Sequence, residues 1–399
     1  MECGLLRGEP LVKTRRGWTN AYSGKASRPP RKGSQEPCAD LGIPVPLPLT
    51  LPHEQRLQAA ERARSPSGVQ PRCPRPRSSR NWGRKLGEGS FGSVSASVEN
   101  GVAVALKRSA VSTRDDHDYG VPQTQMAAAD VVASCTATAL VREGVCPGYM
   151  MQYSAVSCPR ALVTTMEEAH ATLGSWLERN PRRWQEVLLQ AVIARAALED
   201  AGVQHWDLSP DNVMVTELQT PTTLRFRLPD GRGLSFPVAT RVVIVDFGLA
   251  VVHSAEYGRL GIRPTSKEYL HVGSDGVLAS RGRRVKADGV LPPELYAGHP
   301  HPARGLANTP QPYLDLLFLV SEWVDKRWGV TLQRQLRRAM YSGTRGLYDL
   351  LPSMFSLAEV GEPSEGAFDL GDAAFVGALP IPDGDDDVVR ALLARTGRP

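Results

Sequence analysis

Six residues, Gly87-Glu-Gly-Ser-Phe-Gly92, constrain this 399-residue chain more than any others. The spacing G-x-G-x-x-G also opens dinucleotide-binding folds, but there a helix begins directly after the glycines. Here Ser93-Val-Ser-Ala-Ser97 follows and reads as a continuing strand, so the glycines belong at a hairpin tip. Without Cβ atoms, backbone N–H groups at such a tip can lie against phosphate oxygens. Fifteen residues after Gly92, Val104-Ala-Leu-Lys107 places a lysine inside an apolar strand. A buried ammonium is costly unless an anion faces it, and phosphate is such an anion. The plainer alternative is a lysine snorkelling at a strand end.

The surrounding pattern predicts a small β-rich half followed by a larger α-rich half, an α+β chain. Asn81–Ala96 and Val102–Arg108 read as strand, turn, strand, strand. Pro122–Val141, rich in Ala and free of Gly and Pro after its first residue, predicts a helix. Ala155–Glu167 predicts a strand pair. In Arg182–Ala201, residues Val187, Leu188, Ala191, Val192, Arg195 and Leu198 keep helical spacing, and Gly202 stands where a helix stop belongs. Val213–Glu217 and Arg241–Val245 predict short strands separated by a loop excursion at Leu218–Ala239. Helical patterns return in Pro312–Arg327 and Leu332–Tyr341.

Composition separates a head from this body. Residues 1–85 hold 17 Lys/Arg and 6 Asp/Glu, a net of +11, whereas the remaining 314 residues carry a net of −6. Residues 1–79 also hold 12 of the 32 prolines, a density that removes backbone donors and predicts a largely disordered tail, with a short helix at His53–Arg64 as its one ordered element. Such a tail reads as a solvated charge run or a nuclear-import address, and it is expected to play no part in chemistry. A uniformly basic nucleic-acid-binding fold is excluded, because the body is acidic and no aromatic interleaving accompanies the basic runs. The most apolar stretch, Tyr313–Val320, is far shorter than the roughly 20 residues of a membrane span. Six cysteines without C-x-x-C spacing or a histidine cluster argue against a zinc site and a disulfide framework and suit a reducing compartment.

Two further motifs complete a nucleotide-handling set. His205-Trp-Asp-Leu-Ser-Pro-Asp-Asn212 follows the long helix, and Val243-Ile-Val-Asp-Phe-Gly248 follows a strand. An Asp and an Asn five residues apart can orient a hydroxyl and ligate a metal, and a second Asp just before Gly can bridge Mg²⁺ to phosphate. In this order the four motifs resemble the eukaryotic-type protein kinases from about Arg80 to the C-terminus. The resemblance implies a bilobal fold with a disordered tail at 1–79 and a kinase domain at 80–399, its N-lobe at 80–167 and its C-lobe at 168–399. It further implies that Leu86, Gly87, Glu88, Gly89, Ser90, Phe91, Gly92, Ser93 and Val94 cover ATP. Lys107 would contact the α- and β-phosphates, and Met166, Glu167 and Ala169 would belong to the hinge that adenine meets. Asp207 would act as catalytic base, and Asn212 and Asp246 would hold Mg²⁺ or Mn²⁺. Pro292-Pro-Glu294 resembles the close of an activation segment, and Asp315 a buried helix aspartate.

The departures from that pattern are informative. Trp206 stands where an arginine normally meets an activation-loop phosphate, so control through that contact is not expected. Ser209 stands where a lysine normally neutralises the transferring phosphoryl group. No Glu occurs between Lys107 and Glu143, so the helix partner of Lys107 is unresolved between Asp130, Gln125 and the late Glu143, with Asp130 preferred. The intervals Asn212–Asp246 and Asp246–Glu294 are long, and the second holds the basic run Arg281–Lys286. These departures, with the form Asp207-Leu-Ser-Pro-x-Asn212, resemble the conserved herpesvirus protein kinases of the alphaherpesvirus type. That resemblance implies Ser/Thr phosphorylation of viral and host nuclear protein substrates, a place in the host nucleus and virion tegument, and a nuclear import receptor as partner of the basic tail. The competing readings are a pseudokinase that binds nucleotide without transfer and a small-molecule kinase of the aminoglycoside-phosphotransferase type.

Overall fold

Alternating small and β-branched residues around the glycine turn build an antiparallel sheet. The computed structural model describes residues 47–64, 84–89, 92–112, 121–261 and 365–395, with Cys73, Tyr348, Leu351, Glu362 and short strands at Leu11–Thr14, Gly17–Asn20, Asp115–Asp116, His271–Val272, Val277–Ser280, Arg283–Lys286 and Val360–Gly361. Strands β1 (Lys85–Gly89), β2 (Gly92–Glu99), β3 (Val102–Ala110), β4 (Gln152–Cys158) and β5 (Ala161–Glu167) pair in the order β1-β2-β3-β5-β4. Between β3 and β4 runs the interior helix α2 (Gln123–Arg142), ended by Gly144 at φ +68° just past its last turn. Its alanines let it sit close to its neighbours, and Ala128, Ala133 and Ala137 are fully buried. This helix alone among the described residues is long and apolar enough to cross a membrane, and most of it is covered by the rest of the protein.

A helical layer follows. Helix α3 (Leu173–Arg179) starts at Thr172, whose hydroxyl accepts from the Ser175 N–H. The residues that keep helical spacing in α4 (Trp184–Asp200) are all buried, and Gly202 at φ +78° closes it. Arg195, enclosed within α4, is tied to Glu199 at 2.7 Å. Strand β6 (Ala171–Thr172) pairs with β8 (Val213–Arg227), which pairs with β9 (Gly233–Ile244). Strand β7 (Val203–Gln204) pairs with β10 (Val251–Ser254), itself hairpinned to β11 (Gly258–Gly261). Near the C-terminus, the short helix α5 (Ala373–Gly377) abuts the end of α4, and α6 (Asp383–Ala394) returns to α2 and β4. The chain is thus a mixed α+β protein with a β-rich part preceding the helices. Pro312–Arg327, Leu332–Tyr341, Pro292–Glu294 and Asp315 lie outside the described residues.

Three expectations are corrected. Leu218–Ala239 is no loop: β8 and β9 run through it as one hairpin, with a register shift between Glu217 and Thr222 and a turn at Gly231, φ +85°. The alternation Thr222-Thr-Leu-Arg-Phe-Arg and the Pro229-Asp-Gly turn carry that signal, and Phe226 and Phe236 stack 5.9 Å apart across the ladder. Cys73 and Cys158 are joined as a disulfide although 85 residues apart. Lack of close cysteine spacing excludes a metal knuckle, not a pair that only folding brings together.

The third correction concerns the tail. Residues 48–50 form a short 3₁₀ turn and His53–Ala63 forms helix α1, as the sequence suggests, but this segment is part of the core. Arg56 is fully buried, its Nε 2.7 Å and Nη2 2.6 Å from the Glu167 carboxylate, while Nη1 donates to the Pro147 carbonyl at 2.9 Å and Nη2 also donates to the Tyr149 carbonyl. Leu49 packs with Val243, Val245 and Ala169. Proline density reads as disorder only where nothing apolar is buried, and here Leu49, Ala59, Ala60 and Ala63 are.

Removing one partner of a fully buried ion pair leaves the other charge uncompensated, at a cost of about 3–5 kcal/mol. Arg56→Leu and Glu167→Leu alone should each lower unfolding stability by that amount in denaturant titrations. The double variant should recover at least half of the summed loss, and strict additivity would refute the coupling.

Candidate active site

Strand register sets one face of the sheet. Val94 lies opposite Lys107, Lys107 opposite Thr164, and Ala105 opposite Met166, so these side chains share a face at the two-residue period. Lys107 therefore leaves the apolar run of β3 toward α2 and the segment after β9. Its Nζ is 2.8 Å from Asp130 Oδ2 and 3.0 Å from Asp246 Oδ1. Burial disfavours the ammonium charge, but the two carboxylates outweigh it and hold Lys107 above the usual lysine range. Asp130 is thus the helix residue that meets Lys107. Glu143 caps the end of α2, and the Gln125 Oε1 is buried without a hydrogen-bond partner among the described residues.

The glycine hairpin closes one side. Gly87 lies opposite Val94, Glu88 opposite Ser93, and Gly89 opposite Gly92. Leu86 is half-buried, and the exposed Glu88 pairs with Lys85. A Cβ on Gly92 would fall 1.8 Å from the Arg108 carbonyl oxygen, so only glycine lets β2 approach β3 there. Ser90 and Phe91, the tip itself, lie outside the described residues.

The loop after β7 is tied to itself and to Val245, just past β9. The Asp207 N–H donates to His205 Nδ1 at 3.3 Å, so His205 Nε2 carries the proton donated to the Val245 carbonyl at 3.0 Å. The buried His205 ring lies 5.3 Å from Phe247. Asn212 Nδ2 donates to the Asp207 carbonyl at 2.7 Å and to Asp207 Oδ2 at 3.0 Å. The Val245 N–H donates to the Asn212 carbonyl at 3.0 Å, which sets Asn212 next to Asp246 across the base of the β8–β9 hairpin. Asp246 at φ +66° and Trp206 at φ +59° are non-glycine residues in the left-handed region, where backbone strain gathers at working sites.

In the loop between His205 and Asn212, the buried Asn212 Oδ1 and Ser209 Oγ have no hydrogen-bond partner among the described residues. With its amide nitrogen fully engaged, Asn212 presents only a carbonyl-type oxygen, a donor that suits a hard cation. No group of three or more His, Cys, Asp or Glu side chains gathers into a metal site among the described residues. A divalent ion here would need oxygens from a bound phosphate as well, which is the usual manner for Mg²⁺. Residues present thus fit a metal–nucleotide pair better than a resident metal.

Met166, Glu167 and Ala169 fall at the end of β5, but the Glu167 side chain does not face a ligand. It accepts from Arg56 and from the Met151 N–H at 2.7 Å, leaving only backbone there for recognition. Arg56 is the site-supporting residue that the sequence does not reveal, since an arginine in a basic, proline-rich stretch looks solvated. Trp206 packs against Val121, Met126, Leu249 and Val251, an apolar cluster. No protein-family model and no curated protein sequence matches this chain.

Replacing Asp130 by Asn removes one of the two charges that hold Lys107 protonated. The pH at which Lys107 acylation by an amine-reactive ester reaches half its maximum, read by peptide mass spectrometry, should fall by about one to three pH units. An unchanged profile would show that Asp246 alone sets the lysine.

Proposed function

We propose that this chain is an ATP-dependent protein kinase acting on Ser/Thr hydroxyls, with the bilobal kinase arrangement, of the kind that the conserved herpesvirus kinases represent. The observation that carries the reading is the Lys107 ammonium shared by Asp130 and Asp246, with Asn212 bonded to Asp207 next to Asp246. Bound ATP with Mg²⁺ would supply the transferable γ-phosphoryl group and the charge neutralisation that phosphoryl transfer needs. Lys107 would bind the α- and β-phosphate oxygens of that nucleotide, and backbone N–H groups of the Gly87–Gly92 hairpin would cover them. Asn212 Oδ1 and the Asp246 carboxylate would hold the metal. Asp207, held by the Asn212 amide, orients the acceptor hydroxyl and takes its proton. Ser209 contributes no charge, so charge stabilisation falls on Lys107 and the metal. Protein substrates of the viral and host nuclear class, and work in the host nucleus and tegument, belong to the same proposal.

The protein incubated with radiolabelled ATP, Mg²⁺ and casein should label serine and threonine, and EDTA should abolish the label. Asp207→Ala should lower kcat by about 10²–10⁴-fold, the range for loss of a general base. Lys107→Ala should mainly raise the KM for ATP. Nucleotide binding without transfer by the unaltered protein would favour the pseudokinase reading, which Ser209 supports. Because Trp206 makes an apolar contact where a loop phosphate would be read, prior phosphatase treatment should leave the rate unchanged.

A further inference from the structure

Asp130 is one methylene shorter than glutamate, so its 2.8 Å bond to Lys107 tolerates little displacement of α2. Something must hold the helix close, and its other face shows what does. Five residues beyond Asp130, and so about 140° around the helix, Cys135 Sγ donates to Asp385 Oδ2 of α6 at 3.4 Å. Gln152 Nε2 of β4 donates to Asp385 Oδ1, also at 3.4 Å. Val389 and Leu392 of α6 are fully buried in the same seam. From its exposed side α6 reaches the turn between β10 and β11: Asp386 accepts from the Tyr257 hydroxyl, and Arg390 lies 3.0 Å from Glu256. At its far end Arg395 donates to Ser157 Oγ at 2.7 Å and to the Cys158 carbonyl at 2.9 Å.

We propose that α6 is a built-in positioning element for the lysine site, with Asp385 as the positioning residue that keeps α2 seated so that Asp130 stays on Lys107. One C-terminal helix thus contacts the helix that carries Asp130, the strand beside it, and the hairpin that follows Asp246. The inference rests on the phosphotransfer reading only for its catalytic consequence, since the seating of α2 is measurable without any transfer.

The test uses the full chain with Asp385→Leu, and with Tyr257→Phe combined with Arg390→Ala as a pair that leaves the buried seam intact. Amide hydrogen exchange across 123–142 should rise about tenfold in Asp385→Leu and about two- to threefold in the surface pair, while α4 stays protected, because local opening differs from global unfolding. Lys107 acylation at pH 8 should rise in parallel. Asp385→Leu should add nothing to the acylation already gained by Asp130→Asn, the non-additivity expected when both act through one contact. If the unaltered protein transfers phosphate, kcat/KM for ATP should fall about tenfold or more, in line with the sensitivity of positioned groups to shifts near 1 Å. Unchanged exchange in α2, equal exchange gains in α4, or additive acylation would each overturn the inference. Absence of phosphotransfer in the unaltered protein would overturn the kinase reading and leave the exchange and acylation results to decide this one. Should Asp385→Leu not fold, the surface pair decides alone: no rise in α2 exchange overturns the proposal.

Discussion

One ammonium group joins three parts of the fold. Lys107 comes from a strand, Asp130 from an interior helix and Asp246 from the loop after the long hairpin, and their charged atoms meet within 3.0 Å. Burying that charge is favourable only because two carboxylates share it, and both must arrive together. The trio carries a formal net charge of −1, which a cation beside it would offset. Much else follows as support: α2 must lie close to β3, β9 must end where it does, and the turn at Asp246 must take a left-handed backbone.

What was legible in the sequence was local or strongly periodic. The glycine turn, the apolar strand of Lys107, the alanine-rich α2 and the spacing of α4 all follow from short-range chemistry. Asp130 was reached differently: only the family resemblance calls for a carboxylate on the helix after Lys107, and Asp130 is the one found against the lysine. The contacts that close the structure were not legible, because they join residues far apart. Arg56 meets Glu167 across 111 residues, Asp385 meets Cys135 across 250, and Cys73 meets Cys158 across 85. Each is a polar or sulfur-bearing residue whose type alone favours the surface or a free thiol.

The division of charge along the chain changes meaning accordingly. The +11 head is not a single solvated appendage. One of its arginines is fully enclosed and satisfies the carboxylate at the end of β5, so part of the head is a wall of the site's support. Composition averaged over a segment conceals one buried charge among many exposed ones, since burial depends on the partner rather than on the neighbours in sequence. The hairpin of β8 and β9 teaches the complementary lesson: Pro and Gly mark its turn and its bulge while the alternating residues between them keep the ladder.

The tip of the β4–β5 hairpin is where both flanks of the chain are fastened. Cys73 reaches it through sulfur, and Arg395 through two hydrogen bonds to Ser157 and Cys158, so segments from opposite ends of the sequence are clipped to adjacent residues. Reduction of that disulfide would therefore release one clip and leave the other, made of hydrogen bonds alone, in place.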